Sequence, residues 1–342
     1  MPRVSVIIPT WNGADLLEVA LASLRGQAYR DFETLVVDNG SIDGTIAMLD
    51  ARFPEVRHVR LAENRGFAPA VNEGIRAAHG EILVLMNNDV RAEPGWLGAL
   101  VAALDAHPEA GSVASRMLDA HRPGVIDAAG DTMALMAWNI GRGEPDDARF
   151  ASGREVLSAC AGAGAYRRAM LDRIGLLDER YFAWFEDVDL GIRAQLDGWR
   201  CWYEPAAVVH HLGSATAARM STTKTFFTVR NAMILFFKTM PPRRVAAWGL
   251  VMLVWPLVDP IMSGRSPLVT VRAWLAFWRM LPGVLRERRR LRARGTPGAA
   301  HLERLLESPW GDFARAWDIV VARLRRTAAP PRRLRGLRSE AA

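Results

Sequence analysis

From residue 4 to residue 86, short apolar runs alternate with stretches of helical period, and few folds accept that pattern. Residues 4–8, 32–37, 56–61 and 82–86 read as strands: apolar, rich in valine, isoleucine and leucine, and bounded by polar or turn residues. Between them, 14–25, 45–53 and 68–78 carry apolar side chains at helical spacing, as in Leu16, Leu17, Ala20, Leu21 and Leu24. A β-α-β-α-β-α-β order predicts an α/β fold, a mostly parallel sheet with helices on both faces. In such sheets ligands bind outside the carboxyl ends of the strands. Three of those ends carry polar clusters: Pro9-Thr10-Trp11-Asn12, Asp38-Asn39-Gly40-Ser41 and Asn87-Asn88-Asp89.

The middle of the chain is less regular. A helix is expected over 96–106, then an Asp- and Gly-rich stretch, Asp127-Ala128-Ala129-Gly130-Asp131, and a mobile loop over 141–154. Gly162 and Gly164 precede an apolar helix carrying Met170, Ile174 and Leu177. The acidic segment Glu186-Asp187-Val188-Asp189 follows the aromatic residues Tyr181, Phe182, Trp184 and Phe185. Strand-like runs then end at His210 and His211.

The character changes near Met240. Residues 245–262 are strongly apolar and approach the length of a bilayer crossing, yet Pro256, Asp259 and Pro260 argue against a plain spanning helix. Residues 269–285 set Trp274, Phe277 and Trp278 beside Arg272 and Arg279, and arginines crowd 286–294 and 323–338. Apolar, aromatic and basic residues in that order predict a segment lying in a membrane interface. The net charge of +7 sits largely in this part of the chain. Next to tryptophan-rich helices, such charge suits lipid headgroups better than nucleic acid, so no nucleic-acid partner is expected. Two cysteines, Cys160 and Cys201, make no disulfide framework, and no secretory leader is recognisable at Met1. The expected organisation is a catalytic domain over 1–240 and a basic helical region over 241–342. The expected location is cytoplasmic, peripheral on the inner face of the cell membrane.

Several side chains can carry chemistry. Asp89 ends a strand, where a carboxylate can share a hard divalent cation with substrate phosphates. Glu186, Asp187 and Asp189 crowd three carboxylates into four residues, which raises the pKa of a potential general base; Asp189 can instead support the following helix. Adjacent strand residues point to opposite faces, so only one of His210 and His211 is expected to meet a metal. Asp38 can bond a base or ribose, Gly40 and Gly44 allow tight turns, and Arg65 suits a pyrophosphate.

Taken in order, these segments resemble the family 2 glycosyltransferases of GT-A fold, and within them the rhamnosyltransferase-like enzymes of bacterial surface polysaccharide assembly. The resembling stretches run from Val4 through Asn12, Val37 through Thr45, Glu63 through Gly74, Asn87 through Asp89, Phe182 through Leu190 and Pro205 through Ser214. The resemblance implies an inverting, metal-dependent transfer of a sugar, rhamnose foremost, from a dTDP- or UDP-sugar to a glycan or polyprenyl-diphosphate-linked acceptor. It assigns donor binding to Pro9, Thr10, Asn12, Asp38, Asn64, Arg65, Gly66 and Asn88. It assigns Mg²⁺ or Mn²⁺ to Asp89 and His211, with His210 second, and catalysis to Asp187 as base beside Glu186. One position departs from the pattern: the metal motif often reads Asp-x-Asp, and here its first residue is the uncharged Asn87.

Other readings fit less well. A dinucleotide-binding Gly-x-Gly-x-x-Gly would have to stand where the chain has Pro9-Thr10-Trp11-Asn12-Gly13-Ala14, and there is no Gly-x-x-x-x-Gly-Lys phosphate loop. A catalytically dead membrane scaffold would be expected to have lost Asp89, Glu186 or Asp187, and all three are present.

Overall fold

Strand β1 (Val4–Thr10) is buried along its whole length, as a central parallel strand covered on both faces must be. Helix α1 (Ala14–Arg25) returns the chain to β2 (Phe32–Asp38), α2 (Thr45–Arg52) to β3 (Arg57–Arg60), and α3 (Phe67–Ala77) to β4 (Ile82–Met86). These four strands are parallel, in the order β4-β1-β2-β3. The structure is a computed structural model and describes residues 1–213, 221–263 and 265–313. Ser214 and the basic run 323–338 lie outside the described residues.

Beyond β4 the sheet becomes mixed. Next in the chain come β5 (Val90–Ala92), α4 (Trp96–Ala106), β6 (Ala110–Asp119), β7 (Ile126–Ala128), the β8 (Asp131–Met133) and β9 (Ala137–Asn139) hairpin, and β10 (Arg154–Val156). Strand β11 (Ala163–Arg167) inserts antiparallel between β4 and β6 and leads into α5 (Arg168–Ile174). Helix α6 (Glu186–Asp197) then delivers β12 (Arg200–His211), which runs parallel to β6 and antiparallel to β5 and β10. Of these strands the sequence pattern locates only runs within β12, and strand direction, a non-local property, lies beyond it. Residues 141–154, expected as a mobile loop, are anchored: Phe150 is buried, Arg116 pairs with Asp146, and the Gly143 N–H donates to Ile126.

Helices pack on both faces of the sheet. One core gathers Val6, Ile8, Leu21, Trp96 and Leu100; the other gathers Ile7, Val71, Tyr166, Met170 and Leu190. A third core joins the helical region to the segment around α6. It sets α7 (Ser221–Thr239), α8 (Pro242–Ser263), α9 (Pro267–Ala293) and α10 (Ala299–Leu305) against Tyr181, Val188 and Ile192. Met233, Phe236 and Phe277 are fully buried there. Helix α7 thus packs with the helices that follow it, and both prolines noted in the sequence fall inside α8. Among the described residues, α9 alone is long and apolar enough to cross a membrane, judged by length and composition.

Candidate active site

Strand polarity builds the site. Because β1, β2 and β4 are parallel, Thr10, Asp38 and the Asn87-Asn88-Asp89 turn all emerge at one edge. Strand β11 runs the other way, so its entry turn arrives at that same edge, where the Asn87 N–H donates to Gly162 at 2.9 Å. Strand β12 ends there too: His211 is in register with Val90, and the Leu212 N–H donates to the Asp89 carbonyl at 2.8 Å. Four stretches far apart in sequence therefore converge.

The β1 and β2 ends interlock. The Asn88 amide donates to Thr10 Oγ1 at 2.9 Å, and an added Cβ on Gly13 would come within 2.6 Å of that amide. Asn12 receives the Ile42 N–H on its side-chain oxygen, while its own N–H donates to Ser41. Pro9 is buried within β1, where it lies opposite Val37. Asp38 is fully buried: one oxygen accepts the Ser41 N–H, while Oδ2 has no hydrogen-bond partner and lies 3.5 Å from Arg60. Buried carboxylate oxygens are seldom left so, and this one offers an acceptor at the edge.

Asn64 and Asn39 stabilise the loop before α3. Asn64 Oδ1 accepts from Gly66 N and from the Asn39 amide, which also donates to the Gly66 carbonyl. Gly66 has φ 98° and ψ 173°, a conformation essentially confined to glycine. Its missing side chain makes room for Phe182, whose carbonyl accepts from Phe67 N at 2.6 Å. The guanidinium of Arg65 lies between Glu73 at 3.4 Å and Glu179 at 3.9 Å, so two carboxylates hold it along α3.

Asp89 and His211 are brought together, with His211 Nε2 3.3 Å from Asp89 Oδ1. That oxygen is buried and has no hydrogen-bond partner, which fits a ligand waiting for a divalent cation. His210 points away and pairs with Glu93 at 2.8 Å. The other ring nitrogen of His211 meets Asp127 Oδ2 at 2.8 Å, and Arg142 holds the second oxygen of Asp127. Burial works against protonation of His211, but the bond to Asp127 and the Asp89 carboxylate 3.3 Å away win and lift it to about 9. Burial likewise pushes Asp127 up, and the bond from His211 outweighs it, so this carboxyl sits below its ordinary range. Sequence reasoning gave Asp127 no role; its only signal was its place in a Gly- and Asp-rich turn.

The acidic segment opens α6. Asp187 Oδ2 accepts the Ala161 N–H at 3.0 Å, and Oδ1 accepts the Val188 N–H at 2.8 Å. Ala161 belongs to the turn beside Asn87, so Asp187 stands at the same edge as Asp89. Burial lifts Asp187 above the usual carboxylate range against the pull of those N–H groups. Glu186 is buried with Oε2 unpartnered; burial, then the charge of Asp187, pushes it well above its ordinary value. A third carboxyl, Asp131, is raised by burial and by Asp187, against bonds from Ser158 and Asn139. Asp189 turns inward instead, to Arg193 at 2.8 Å and Lys238 at 2.7 Å, which makes it a support of the helix.

The backbone leading into this helix is strained. Phe182, Trp184 and Phe185 have φ of 64°, 70° and 75°, uncommon for residues with side chains. The Asn231 amide, on α7, lies within 2.9 Å of the carbonyls of Tyr181, Ala183 and Trp184, and Arg230 donates to those of Arg180 and Tyr181. Such strain persists where surroundings over-determine it, and it clusters at functional sites. The signal for this pair was two polar residues inside an apolar helical stretch, which sequence reasoning passed over.

The model of Glycosyl transferase family 2 matches residues 5–175. The chain belongs to this family. Among similar proteins is the N-acetylglucosaminyl-diphospho-decaprenol L-rhamnosyltransferase of Mycobacterium tuberculosis, 31% identical over 242 residues, which are 62% of this chain and 76% of that protein. The O-antigen biosynthesis protein RfbC of Myxococcus xanthus is 31% identical over 232 residues, 63% of this chain and 18% of that one. The structure of mannosyltransferase PcManGT from Pyrobaculum calidifontis, in complex with GDP-Man and Mn²⁺, superposes with a TM-score of 0.52 at 20% identity, covering 95% of this chain and 86% of that one. The transferase therefore has a GT-A fold with a helical C-terminal region.

Proposed function

We propose that this glycosyltransferase moves a sugar, rhamnose foremost, from a dTDP- or UDP-sugar to a hydroxyl of a glycan or polyprenyl-diphosphate-linked acceptor, with inversion, at the cytoplasmic face of the membrane. The observation that carries the reading is the meeting of Asp38, the Asp89–His211 pair and Asp187 at one sheet edge. The rhamnosyltransferase relative supports the choice of sugar and of a lipid-linked acceptor.

Asp38 Oδ2, buried and without a hydrogen-bond donor, would accept from the nucleoside, with Thr10 and Asn12 framing it. Asn64 and Gly66 hold the donor loop against Phe182. Arg65, held by Glu73 on α3 and by Glu179 in the turn after α5, would have to swing free to reach a pyrophosphate. Asp89 and His211 would hold Mg²⁺ or Mn²⁺, which when bound neutralises charge on the departing nucleoside diphosphate. Asp127 keeps the His211 ring oriented for that task. Asp187 takes the acceptor hydroxyl's proton; its raised pKa makes it a better base than a solvated aspartate, and its two backbone N–H bonds fix its plane. Burial keeps that pKa up, and the charge of Asp187 in turn raises the neighbouring carboxyls Glu186 and Asp131. Attack of the deprotonated hydroxyl on the anomeric carbon from the face opposite the departing nucleoside diphosphate would be a single displacement, with inversion.

Asp187→Asn should cut turnover about a thousandfold while nucleotide-sugar binding stays within about twofold. Binding is read by calorimetry with Mn²⁺ and turnover by nucleoside diphosphate release. Turnover retained in this variant would remove Asp187 from the mechanism. A folded wild-type chain that binds no nucleotide sugar would favour an inactive membrane-surface scaffold.

A further inference from the structure

A second site stands away from the catalytic edge. It is a cleft of about 700 Å³ beyond the C-terminal end of α6, between the end of α7, the start of α8, the end of α9 and helix α10. Asp187 begins α6, whereas Leu196, near its other end, lines this cleft. Its walls carry Lys238, Arg243, Arg288, Arg292 and Arg304, against a single carboxylate, Glu303.

Two of these cations are already matched. Lys238 directs its ammonium to Asp178 and Asp189, at 2.6 and 2.7 Å, and Arg243 pairs with Glu303 at 2.7 Å. Glu303 also lies 3.5 Å from Arg244, so its charge is fully committed. Arg288, Arg292 and Arg304 pair with no carboxylate among the described residues. Arg288 uses Nη1 on the carbonyls of Phe237 and Lys238, and Arg292 uses Nη2 on that of Met240. These bonds satisfy the carboxyl end of α7 and leave most N–H donors of each fork available. Burial, then repulsion from Arg292, brings Arg288 down to about 10, the mark of a cation without a counter-charge.

The turn before α10 packs closely on the end of α6: the Gly298 N–H donates to the Leu196 carbonyl at 3.1 Å, and an added Cβ on Gly298 would meet the Gln195 carbonyl at 1.7 Å. The surroundings point to where the anion comes from. Leu250, Val254, Leu257, Leu268, Leu275 and Trp278 expose large apolar surfaces along α8 and α9, the helices that supply Arg243, Arg288 and Arg292 to the cleft, while Arg304 comes from α10.

We propose that this cleft binds a phosphate or diphosphate group, with the headgroup of a membrane lipid as its natural source. Arginine forks match phosphate oxygens in pairs, and several unmatched guanidinium groups in one cleft call for a polyvalent anion. A lipid seated there would lie with its headgroup at the basic end of the α8–α9 hairpin and its chains along the apolar face. This inference is independent of the transferase reading.

The test titrates the full chain with inorganic diphosphate by calorimetry, in EDTA so that no divalent metal carries the anion to the catalytic edge. Ala300 lines the cleft and is exposed, so Ala300→Glu places a carboxylate among the arginines without touching the core or their carbonyl bonds. Saturable binding that falls about tenfold in Ala300→Glu and severalfold in Arg304→Gln, with unchanged melting temperatures, supports the site. Equal binding by wild type and Ala300→Glu, or no binding by either, overturns it. The source is read by sedimentation with phosphatidylcholine vesicles, with and without about 30% phosphatidylglycerol. Loss of the anionic-vesicle preference in Ala300→Glu identifies a lipid headgroup. An unchanged preference, which the arginines of 323–338 can sustain alone, together with wild-type diphosphate binding that anionic vesicles do not displace identifies a soluble phosphate compound as the occupant.

Discussion

Gly66 couples the loop before α3 to the segment leading into α6, and replacing it with alanine tests that coupling. At φ 98° and ψ 173° the backbone occupies a region nearly closed to any residue with a Cβ, at a cost of about 1–3 kcal/mol. The new methyl would also stand 2.6 Å from the Phe182 ring and 2.7 Å from its carbonyl. Neither can retreat freely, because Phe182 stacks on Phe227 at 4.7 Å and its carbonyl accepts from Phe67 and Ala68. Such overpacking costs about another 1–3 kcal/mol, and partial relaxation leaves a net loss of about 3 kcal/mol. Urea unfolding followed by tryptophan fluorescence measures it. Gly44→Ala is the control: φ there is −73° and a Cβ meets nothing within 4 Å, so its effect should stay within about 0.5 kcal/mol. Because Asn64 and Asn39 both bond to Gly66, the variant should also weaken nucleotide-sugar binding about tenfold. A stability loss below about 1 kcal/mol with unchanged donor affinity would refute the coupling.

Asp127→Asn should lower Mn²⁺ affinity about tenfold or more, since the group that orients His211 loses its charge; electron paramagnetic resonance of free Mn²⁺ reads this without turnover, and unchanged affinity would count against the Asp89–His211 site. Glu186→Gln should stabilise the protein at pH 8 relative to wild type. The native pKa of Glu186 lies well above its ordinary 4.5, so wild type loses stability as pH rises from that value toward the native one. The glutamine variant's advantage should therefore vanish near pH 4, and an advantage independent of pH would show that Glu186 is not held protonated. Asn231→Ala should cost about 2–4 kcal/mol and lower turnover, because the carbonyls of Tyr181, Ala183 and Trp184 lose a shared donor; intact turnover would show that the strained turn holds itself.

Much of the site was legible because its chemistry is carried by local words. The runs ending at Asp38 and Asp89 announce buried strands by their valine and leucine content, and a parallel arrangement sends both carboxylates to one edge. The crowded carboxylates of Glu186 and Asp187 are likewise visible in the sequence alone. Asp127 and Asp131 were not distinguishable from turn aspartates, because their partners His211 and Ser158 lie 84 and 27 residues away. Arg65 reads as a phosphate contact, yet Glu73 and Glu179 hold it along α3, a competition no motif records.

The sequence by itself determined the alternating layers, the polar strand ends and the apolar, basic character of the C-terminal region, since hydrophobic period and composition are properties of neighbours along the chain. Only the tertiary structure decided that β11 runs antiparallel and so brings Ala161 to Asp187, and that β12 sets His211 rather than His210 beside Asp89. It alone closed Arg288, Arg292 and Arg304 around a cleft with no carboxylate to spare. Those outcomes depend on register, direction and packing between distant segments, where burial decides which charges are matched and which are left waiting for a ligand.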